Sequence, residues 1–277
     1  MYAVLPAAQL PGATRDEGDH MGRLSADDVR FFKENGYLVK RGVLKPDLTE
    51  RARDHLWENA PAQLDRADPD TWIGPFEEEN EDGADRRSGY RWNFRRPGGE
   101  EWMIRLLATD PDVYGMAEEL IGEGKLQVPK RIRGIYCTLP YGDVERRPTG
   151  CHVDAHPFHL GVVGYIDDVP LGGGSFSVWP GSHKRFYGAF SSQYKYEPTD
   201  DYDVIRVETN EAPPVECHGK AGDIVFWHHR IGHMAGHNYS RQIRQAALYD
   251  FRKIDLEETQ EEPPCEDMWR DWDGVPS

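Results

Sequence analysis

The sequence predicts a mainly β fold, an antiparallel sandwich or barrel with helices packed outside it. Helix signals with caps are concentrated before residue 123, whereas residues 131–251 alternate short apolar runs with glycine- and proline-containing turns. A set of helices followed by roughly eight strands favours antiparallel layers over alternating strand and helix units. The interior of a small antiparallel barrel is wide enough for one small ligand.

Three segments carry helix signatures. Residues 24–36 (LSADDVRFFKENG) place Ser25 as the N-cap, with acidic residues in the first turn and Gly36 as the stop. A second helix begins at Pro46 and carries apolar residues four positions apart. A third is predicted at Pro111–Ile121, with an aspartate before it and a glycine after it.

The predicted strands are apolar runs bounded by turn residues. They are rich in β-branched and aromatic side chains and lie between clusters of glycine, proline and aspartate. These runs are residues 37–40, the parts of 159–183 on either side of a glycine-rich turn, 224–227 after a Gly-Asp turn, and 243–251.

Three residues predict a metal site. His152 and Asp154 are two positions apart, so in an extended segment they point to the same side, and His233 on a distant strand can complete the set. Two imidazoles and one carboxylate on one side of an ion form the facial triad of non-haem Fe(II) oxygenases, which leaves coordination positions open for chemistry. The HxD triplet alone carries little information, because a chain with 11 histidines and this much aspartate produces about one such match by chance.

An arginine interrupts the last apolar run. Arg244 lies within residues 243–251, and a guanidinium inside a barrel needs an anionic partner, for which its planar fork suits a carboxylate. Arg241 is the alternative, but three positions separate the two side chains, which therefore face opposite sides of a continuous strand. We favour Arg244.

Further motifs accompany these residues. A PGSH turn lies at residues 180–183, a Gly-Asp turn at 222–223, and an HxxxxHxxxxNxSxxxR pattern extends from His228 to Arg244. With HxD at 152–154, they resemble, in the same order, the phytanoyl-CoA dioxygenase family of Fe(II)- and 2-oxoglutarate-dependent oxygenases. The resemblance covers roughly residues 24–252 and is strongest in the two histidine-containing clusters.

This resemblance implies roles for individual residues. His152, Asp154 and His233 would hold Fe(II), and Arg244 would bind the distal carboxylate of 2-oxoglutarate. Val153 stands where relatives often have glutamine, so contacts of 2-oxoglutarate beyond Arg244 stay open. Other histidines compete for the place of third ligand, although only His233 has the family spacing to the arginine. The competitors are His156, His159, His228, His229 and His237.

The resemblance also implies a fold and a reaction. The fold is a double-stranded β-helix, a cupin-like jelly roll with the N-terminal helices outside. The reaction uses Fe(II), 2-oxoglutarate and O2, hydroxylates a C–H bond of a small organic substrate, with an anionic molecule as one candidate, and releases succinate and CO2. Related halogenases replace the carboxylate ligand by a small residue, so Asp154 predicts oxygenation. Two alternatives stay open: a cupin-type metal enzyme that does not use 2-oxoglutarate, and a catalytically silent jelly-roll binding protein.

Between the helices, residues 67–99 are polar and predict a long loop. A loop of this length inside a compact domain is usually either disordered or functional. Our hypothesis is that the RWNF stretch at residues 91–94 folds over the mouth of the metal site and selects the substrate. A second basic cluster, KRIR at 130–133, is either solvated surface or a site for an anionic substrate group.

Composition argues against several classes of partner. A net charge of −16 disfavours nucleic acid and anionic membranes, and no window approaches the length of a membrane span. The four cysteines show neither CxxC spacing nor a dense framework. We therefore expect a cytoplasmic protein that binds a small-molecule substrate. The oligomeric state is not predicted.

One domain is predicted, because no Pro/Ser/Gly-rich linker separates the two clusters. Residues 1–22 form a flexible N-terminal segment without the features of a secretory signal. Residues 23–252 form a single jelly-roll oxygenase domain. Residues 253–277 form an acidic C-terminal tail, in which Trp269 and Trp272 are candidate anchors.

Overall fold

In the computed structural model, which describes residues 23–276, two antiparallel sheets pack face to face and helices cover the outer face of the larger sheet. The prediction for residues 1–22 lies outside the described residues. The helices are α1 (Ala26–Asn35), α2 (Pro46–Glu58), α3 (Glu101–Leu106), α4 (Pro111–Ile121), α5 (Ser182–Tyr187), α6 (Asp201–Asn210) and α7 (Leu256–Thr259). The strands are β1 (Tyr37–Lys40), β2 (Asn80–Asp82), β3 (Asp85–Ser88), β4 (Arg91–Phe94), β5 (Gly134–Thr138), β6 (Leu160–Tyr165), β7 (Phe176–Val178), β8 (Val215–Glu216), β9 (Ile224–His228), β10 (His233–Ala235) and β11 (Arg244–Phe251).

The predicted helix ends are confirmed by their caps. At the start of α1 the Ser25 hydroxyl accepts a hydrogen bond from the Asp28 backbone N–H at 3.1 Å, while the Asp28 carboxylate accepts one from the Ser25 N–H at 2.9 Å. Gly36 ends the helix with φ +78°, in the left-handed region that favours glycine. The chain then enters β1 directly. The predictions of β1, α2 and α4 are confirmed as well.

The larger sheet has eight strands in the order β1-β9-β6-β11-β5-β4-β3-β2, and the smaller sheet has three in the order β10-β7-β8. All paired strands within the described residues are antiparallel. The mainly β jelly-roll architecture with N-terminal helices outside is therefore confirmed. Because β11 lies between β6 and β5, a residue on its inner face is surrounded by sheet on both sides.

The two faces of the larger sheet bury different sets of side chains, as alternation along a strand requires. The face toward the helices packs Leu160, Phe226 and Ala247 against α1 to α4. The face toward the smaller sheet carries Val163 and Trp227, which pack against the strand residues Phe176 and Val178 of β7. An interior ligand would lie between the two sheets, on this second face of the larger sheet.

The prediction of a loop at residues 67–99 is wrong in part. Strands β2, β3 and β4 form a meander that pairs with β5 and extends the larger sheet. The sequences NED and DRRS contain none of the β-branched and aromatic residues that favour strands, so their conformation comes from pairing with neighbours and not from local pattern. Trp92 is fully buried in the helix-facing core and donates its indole N–H to Asp85 at 2.5 Å. It cannot select substrate by covering the mouth of a site.

The prediction of strand and turn throughout residues 131–251 also needs correction. Helix α5 begins at Ser182, inside the PGSH motif, and α6 lies on the surface with only Tyr202 and Thr209 buried. Such a helix exposes most of its side chains and shows no long apolar stripe, so periodicity gives little signal for it.

The C-terminal residues pack back onto the helical layer. Trp272 is 1% exposed and its ring centroid lies 5.5 Å from that of Phe32. Trp269 packs against the same phenylalanine at 5.9 Å. Both tryptophans belong to the core shared by the helices and the larger sheet. In residues 23–276, none of the helices combines the length and the apolar character that crossing a bilayer requires.

Candidate functional site

Two distant segments meet through a backbone bridge between His152 and His233. The N–H of His152 donates to the carbonyl of His233 at 3.1 Å, and the N–H of His233 donates back to His152 at 2.9 Å. His233 is the first residue of β10, whose pairing with β7 fixes it in the smaller sheet. The two imidazole centroids are consequently 4.5 Å apart. The bridge thus explains how residues far apart in sequence come to share one site.

Asp154 completes the cluster. Its Oδ2 lies 3.6 Å from Nε2 of His233, and one ligand atom from each of the three residues lies within 4.8 Å of the other two. Burial raises the pKa of the Asp154 carboxyl, but the opposing effects of the neighbouring His233 and then of Arg133 are larger and hold that pKa well below its usual range. Two nitrogens and one carboxylate oxygen at this separation suit a single metal ion.

Both imidazoles are oriented by their own backbone. Nδ1 of His152 lies 3.3 Å from the carbonyl of Gly150, and Nδ1 of His233 lies 3.0 Å from that of Ile231. With the proton on Nδ1, each ring donates to that carbonyl and leaves the Nε2 lone pair for an ion. One side of His152 is open to solvent, yet burial by the surrounding protein and the nearby His233 lower its pKa to about 4. The neutral, coordinating form therefore prevails near pH 7.

A second acidic cluster adjoins the first but is already occupied by a cation. Asp154, His156 and Asp250 bring ligand atoms within 4.8 Å of one another. Arg133 lies among them: its Nε donates to Asp250 at 2.7 Å and its Nη2 donates to the other oxygen at 2.8 Å. The same Nη2 lies 2.7 Å from Nε2 of His156 and 3.5 Å from Asp154. This cluster is an ion-pair network behind the triad.

Sequence reasoning missed the positions of Arg133 and Asp250 in this network. A weak signal existed, because Arg133 belongs to the KRIR cluster and Asp250 interrupts the apolar run of β11. Burial lowers the pKa of the Arg133 guanidinium, but the negative charges of Asp250 and Asp154 outweigh this and raise it. Arg133 therefore stays charged beside Asp154, one of the predicted metal ligands.

Arg244 lies inside the barrel, as expected. Its side chain is buried; Nε donates to the carbonyl of Gly174 at 3.0 Å and Nη1 to that of Tyr136 at 3.0 Å. Burial lowers the pKa of its guanidinium, because the charged form is poorly solvated there. Within residues 23–276 it forms no ion pair with a carboxylate, although its remaining N–H groups can donate. Arg241 is exposed and pairs with Asp70 at the surface.

The turn before β11 fixes the position at which Arg244 enters the sheet. The Asn238 side-chain amide donates to the carbonyls of Thr138 at 2.8 Å and Gln242 at 2.7 Å. The Ser240 hydroxyl donates to the Asn238 side-chain oxygen at 2.7 Å. These contacts fix the turn against the end of β5, where Arg244 pairs with Thr138.

A short segment connects the arginine to the triad. Gly174 accepts from Arg244, and two residues later the ring of Phe176 stacks on that of His233 with centroids 5.2 Å apart. Between them, the Ser175 hydroxyl is buried and finds no hydrogen-bond partner among residues 23–276, and the same holds for Nε1 of Trp227, whose ring lies 4.7 Å from Phe176. Unpaired buried donors beside an unpaired guanidinium suit a polar, anionic small molecule.

The competing histidines lie elsewhere. His156 contacts the Arg133 network, and His237 packs against Tyr141 with centroids 5.4 Å apart. The other three, His159, His228 and His229, are buried in packed surroundings, where burial lowers their pKa values. In the described part of the chain none of these three joins a group of three residues that could hold a metal ion.

A family model described as "Phytanoyl-CoA dioxygenase (PhyH)" matches residues 32–246. A search of curated proteins finds no match.

Solved structures share the fold. The carbocyclase SnoK from nogalamycin biosynthesis, described as non-heme and alpha ketoglutarate dependent, is 23% identical with a TM-score of 0.56, over 91% of this chain and 98% of that one. EctD from S. alaskensis, solved with bound Fe, is 18% identical with a TM-score of 0.56, over 94% of this chain and 88% of that one. The epimerase SnoN, also from nogalamycin biosynthesis, is 20% identical with a TM-score of 0.52, over 91% and 90%.

Proposed function

Because the chain belongs to the phytanoyl-CoA dioxygenase family and is thus a non-haem Fe(II)- and 2-oxoglutarate-dependent oxygenase, we propose that it hydroxylates a C–H bond of a small organic substrate. The enzyme uses Fe(II), 2-oxoglutarate and O2. The reaction proposed for it releases succinate and CO2 and inserts one oxygen atom into the substrate.

The convergence of His152, Asp154 and His233 is the observation that carries the proposal. Their ligand atoms lie within 4.8 Å of one another, and the backbone contacts of the two Nδ1 atoms leave both Nε2 atoms for the ion. When bound there, Fe(II) with 2-oxoglutarate and O2 supplies the oxidising power for attack on an unactivated C–H bond. Asp154 supports oxygenation over halogenation, because a carboxylate stands where a halogenase would carry a small residue.

Arg244 is proposed to hold the distal carboxylate of 2-oxoglutarate. Its guanidinium is fixed by two backbone carbonyls and has N–H groups to spare, so a bound carboxylate would meet a donor that is already oriented. Burial strengthens such a pair and keeps competing water away. The Gly174–Phe176 segment supports this role, because it contacts both Arg244 and His233.

The cosubstrate site is tested by spectroscopy. Purified protein mixed anaerobically with Fe(II) and 2-oxoglutarate should develop the weak visible charge-transfer band of a chelated keto acid. We expect Arg244→Met to lose the band at the concentration that saturates the wild type, since a buried charged hydrogen-bonded pair is removed. Arg241→Met is the matched control, because its side chain is exposed and paired with Asp70. Equal bands in the two variants would contradict the role of Arg244.

Turnover tests the reaction itself. A substrate identified by screening metabolites for substrate-dependent succinate release should yield a product heavier by one oxygen atom. Asp154→Ala should abolish succinate formation, whereas Asp168→Ala, at an exposed carboxylate paired with Lys220, should not. Substantial turnover by Asp154→Ala would reject Asp154 as a ligand. A band without succinate, across the metabolites screened, would indicate a silent binding protein.

A further inference from the structure

A cleft of about 780 Å³ lies beside the metal-site network, and four of its six charged lining residues are basic. It forms where the segment 127–133 runs alongside the end of β11. The two chain segments are joined at one end by Arg133 N–H to Leu248 carbonyl, 2.8 Å, and at the other by Gln127 N–H to Arg252 carbonyl, 2.8 Å. Between these bonds they separate. The volume is in the range of small-molecule sites, about 300–1,000 Å³. We call it the basic cleft.

Three cations of the basic cleft lack ionic partners within residues 23–276. They are Lys130, Arg131 and Arg252, and the cleft holds one further carboxylate, Glu257, besides the Asp250 that Arg133 neutralises. Arg131 only donates to a backbone carbonyl, and the Nε of Arg252 is buried without a hydrogen-bond partner. In a chain of net charge −16, three neighbouring cations that form no ion pair with the described residues suggest a site for an anion.

The rim of the basic cleft is apolar. Val128 is 74% exposed and Ile254 is 62% exposed, and Tyr249 adds an aromatic ring to the lining. Exposed aliphatic side chains beside unpaired cations match a ligand that has both an anionic group and an apolar body.

The inner end of the basic cleft reaches the reaction centre. Arg133 and Asp250 line the cleft, and Nη2 of Arg133 is 3.5 Å from Oδ2 of Asp154. One side chain therefore separates the cleft from a residue of the proposed metal triad. A molecule anchored here would therefore lie next to the proposed metal site.

We propose that the basic cleft binds the anionic group of the substrate, an organic carboxylate or phosphate with an apolar body, through Lys130 and Arg252. This inference rests on the proposed oxygenase function and specifies its substrate class. Two unpaired cations supply charge-assisted hydrogen bonds to the anion, and the aliphatic rim covers its apolar part. The Arg133–Asp250 pair forms the wall toward the metal site.

The test uses protein loaded anaerobically with Fe(II) and 2-oxoglutarate, with 2-naphthoate and 2-naphthyl phosphate as anionic probes and 2-naphthamide as the neutral match. Calorimetry should show binding of at least one anion, and at least about tenfold weaker binding of the amide. The double variant Lys130→Gln/Arg252→Gln should lose about tenfold or more in affinity for that anion. The controls Lys184→Gln and Arg105→Gln remove exposed charges outside the cleft and should bind as the wild type does.

A second measurement ties the cleft to the reaction. Binding of the anion should shift the charge-transfer band in the wild type. Equal affinity of the double variant and the wild type, equal affinity for the amide, or binding without a band shift each overturn the proposal. The proposed function fails separately: it fails if no band forms, or if the band forms and none of the screened metabolites causes release of succinate. Circular dichroism checks that the double variant is folded, and loss of unpaired charges should not destabilise it.

Discussion

Replacing Asp250 by asparagine should damage both stability and metal binding. Asp250 accepts two hydrogen bonds from Arg133, at 2.7 Å and 2.8 Å, and its side chain is 7% exposed. Asparagine keeps the shape but removes the charge and one acceptor. The guanidinium is then left with Asp154 as its nearest carboxylate, at 3.5 Å in the present arrangement.

The expected loss of stability follows from how deeply the Arg133–Asp250 pair is buried. Breaking a buried ion pair by removing one partner costs about 3–5 kcal/mol. The Arg133 side chain is 23% exposed, so water compensates part of the loss and we expect about 2–4 kcal/mol. A guanidinium drawn toward Asp154 also competes with the metal for that carboxylate. Loss of a partner behind a metal ligand weakens metal affinity by about 10–100-fold, and we expect a value in this range.

The assay combines urea unfolding of the metal-free protein with anaerobic titration of Fe(II). Asp168→Asn is the control, because its exposed pair with Lys220 should contribute less than about 1 kcal/mol. A double replacement, Arg133→Met/Asp250→Leu, should recover part of the stability without recovering metal affinity, since the guanidinium that Asp250→Asn leaves unpaired is itself removed. The reasoning is refuted if Asp250→Asn matches the control in both stability and metal affinity.

Two further predictions concern the core. Burial lowers the pKa of His159 to about 3 and of His183 to about 4. Both histidines therefore bind protons more tightly in the unfolded chain, and acid destabilises the fold. Stability should be complete above about pH 6.5 and fall by about 2 kcal/mol per histidine by pH 5; a flat urea midpoint would contradict this. Trp272→Ala should cost about 3–5 kcal/mol in urea unfolding, whereas Val204→Ala on exposed α6 should cost less than about 1, and equal losses would argue against C-terminal docking.

Local signals were enough where a segment's own residues fix its conformation. Ser25 and Gly36 bound α1 through capping contacts made within a few residues, so the sequence predicted both ends. The strand that contains Arg244 was predicted because its apolar run is long. By contrast, β2 and β3 are polar and short, and they form because β2 pairs with β3 and β3 pairs with β4, which pairs in turn with β5. No local pattern reports such pairing.

The pattern of His152, Asp154, His233 and Arg244 could be predicted from the sequence, because it depends only on which residues are present and how far apart they are in the chain. What the sequence could not supply is distance. Only the tertiary structure brings His152 beside His233 through a backbone bridge and leaves Arg244 buried with no carboxylate partner among residues 23–276. It alone also places Arg133 between the proposed triad and the basic cleft, since that position depends on how β11 and the segment before β5 separate. Contacts between remote segments are decided by packing of the whole chain, which periodicity and propensity do not encode.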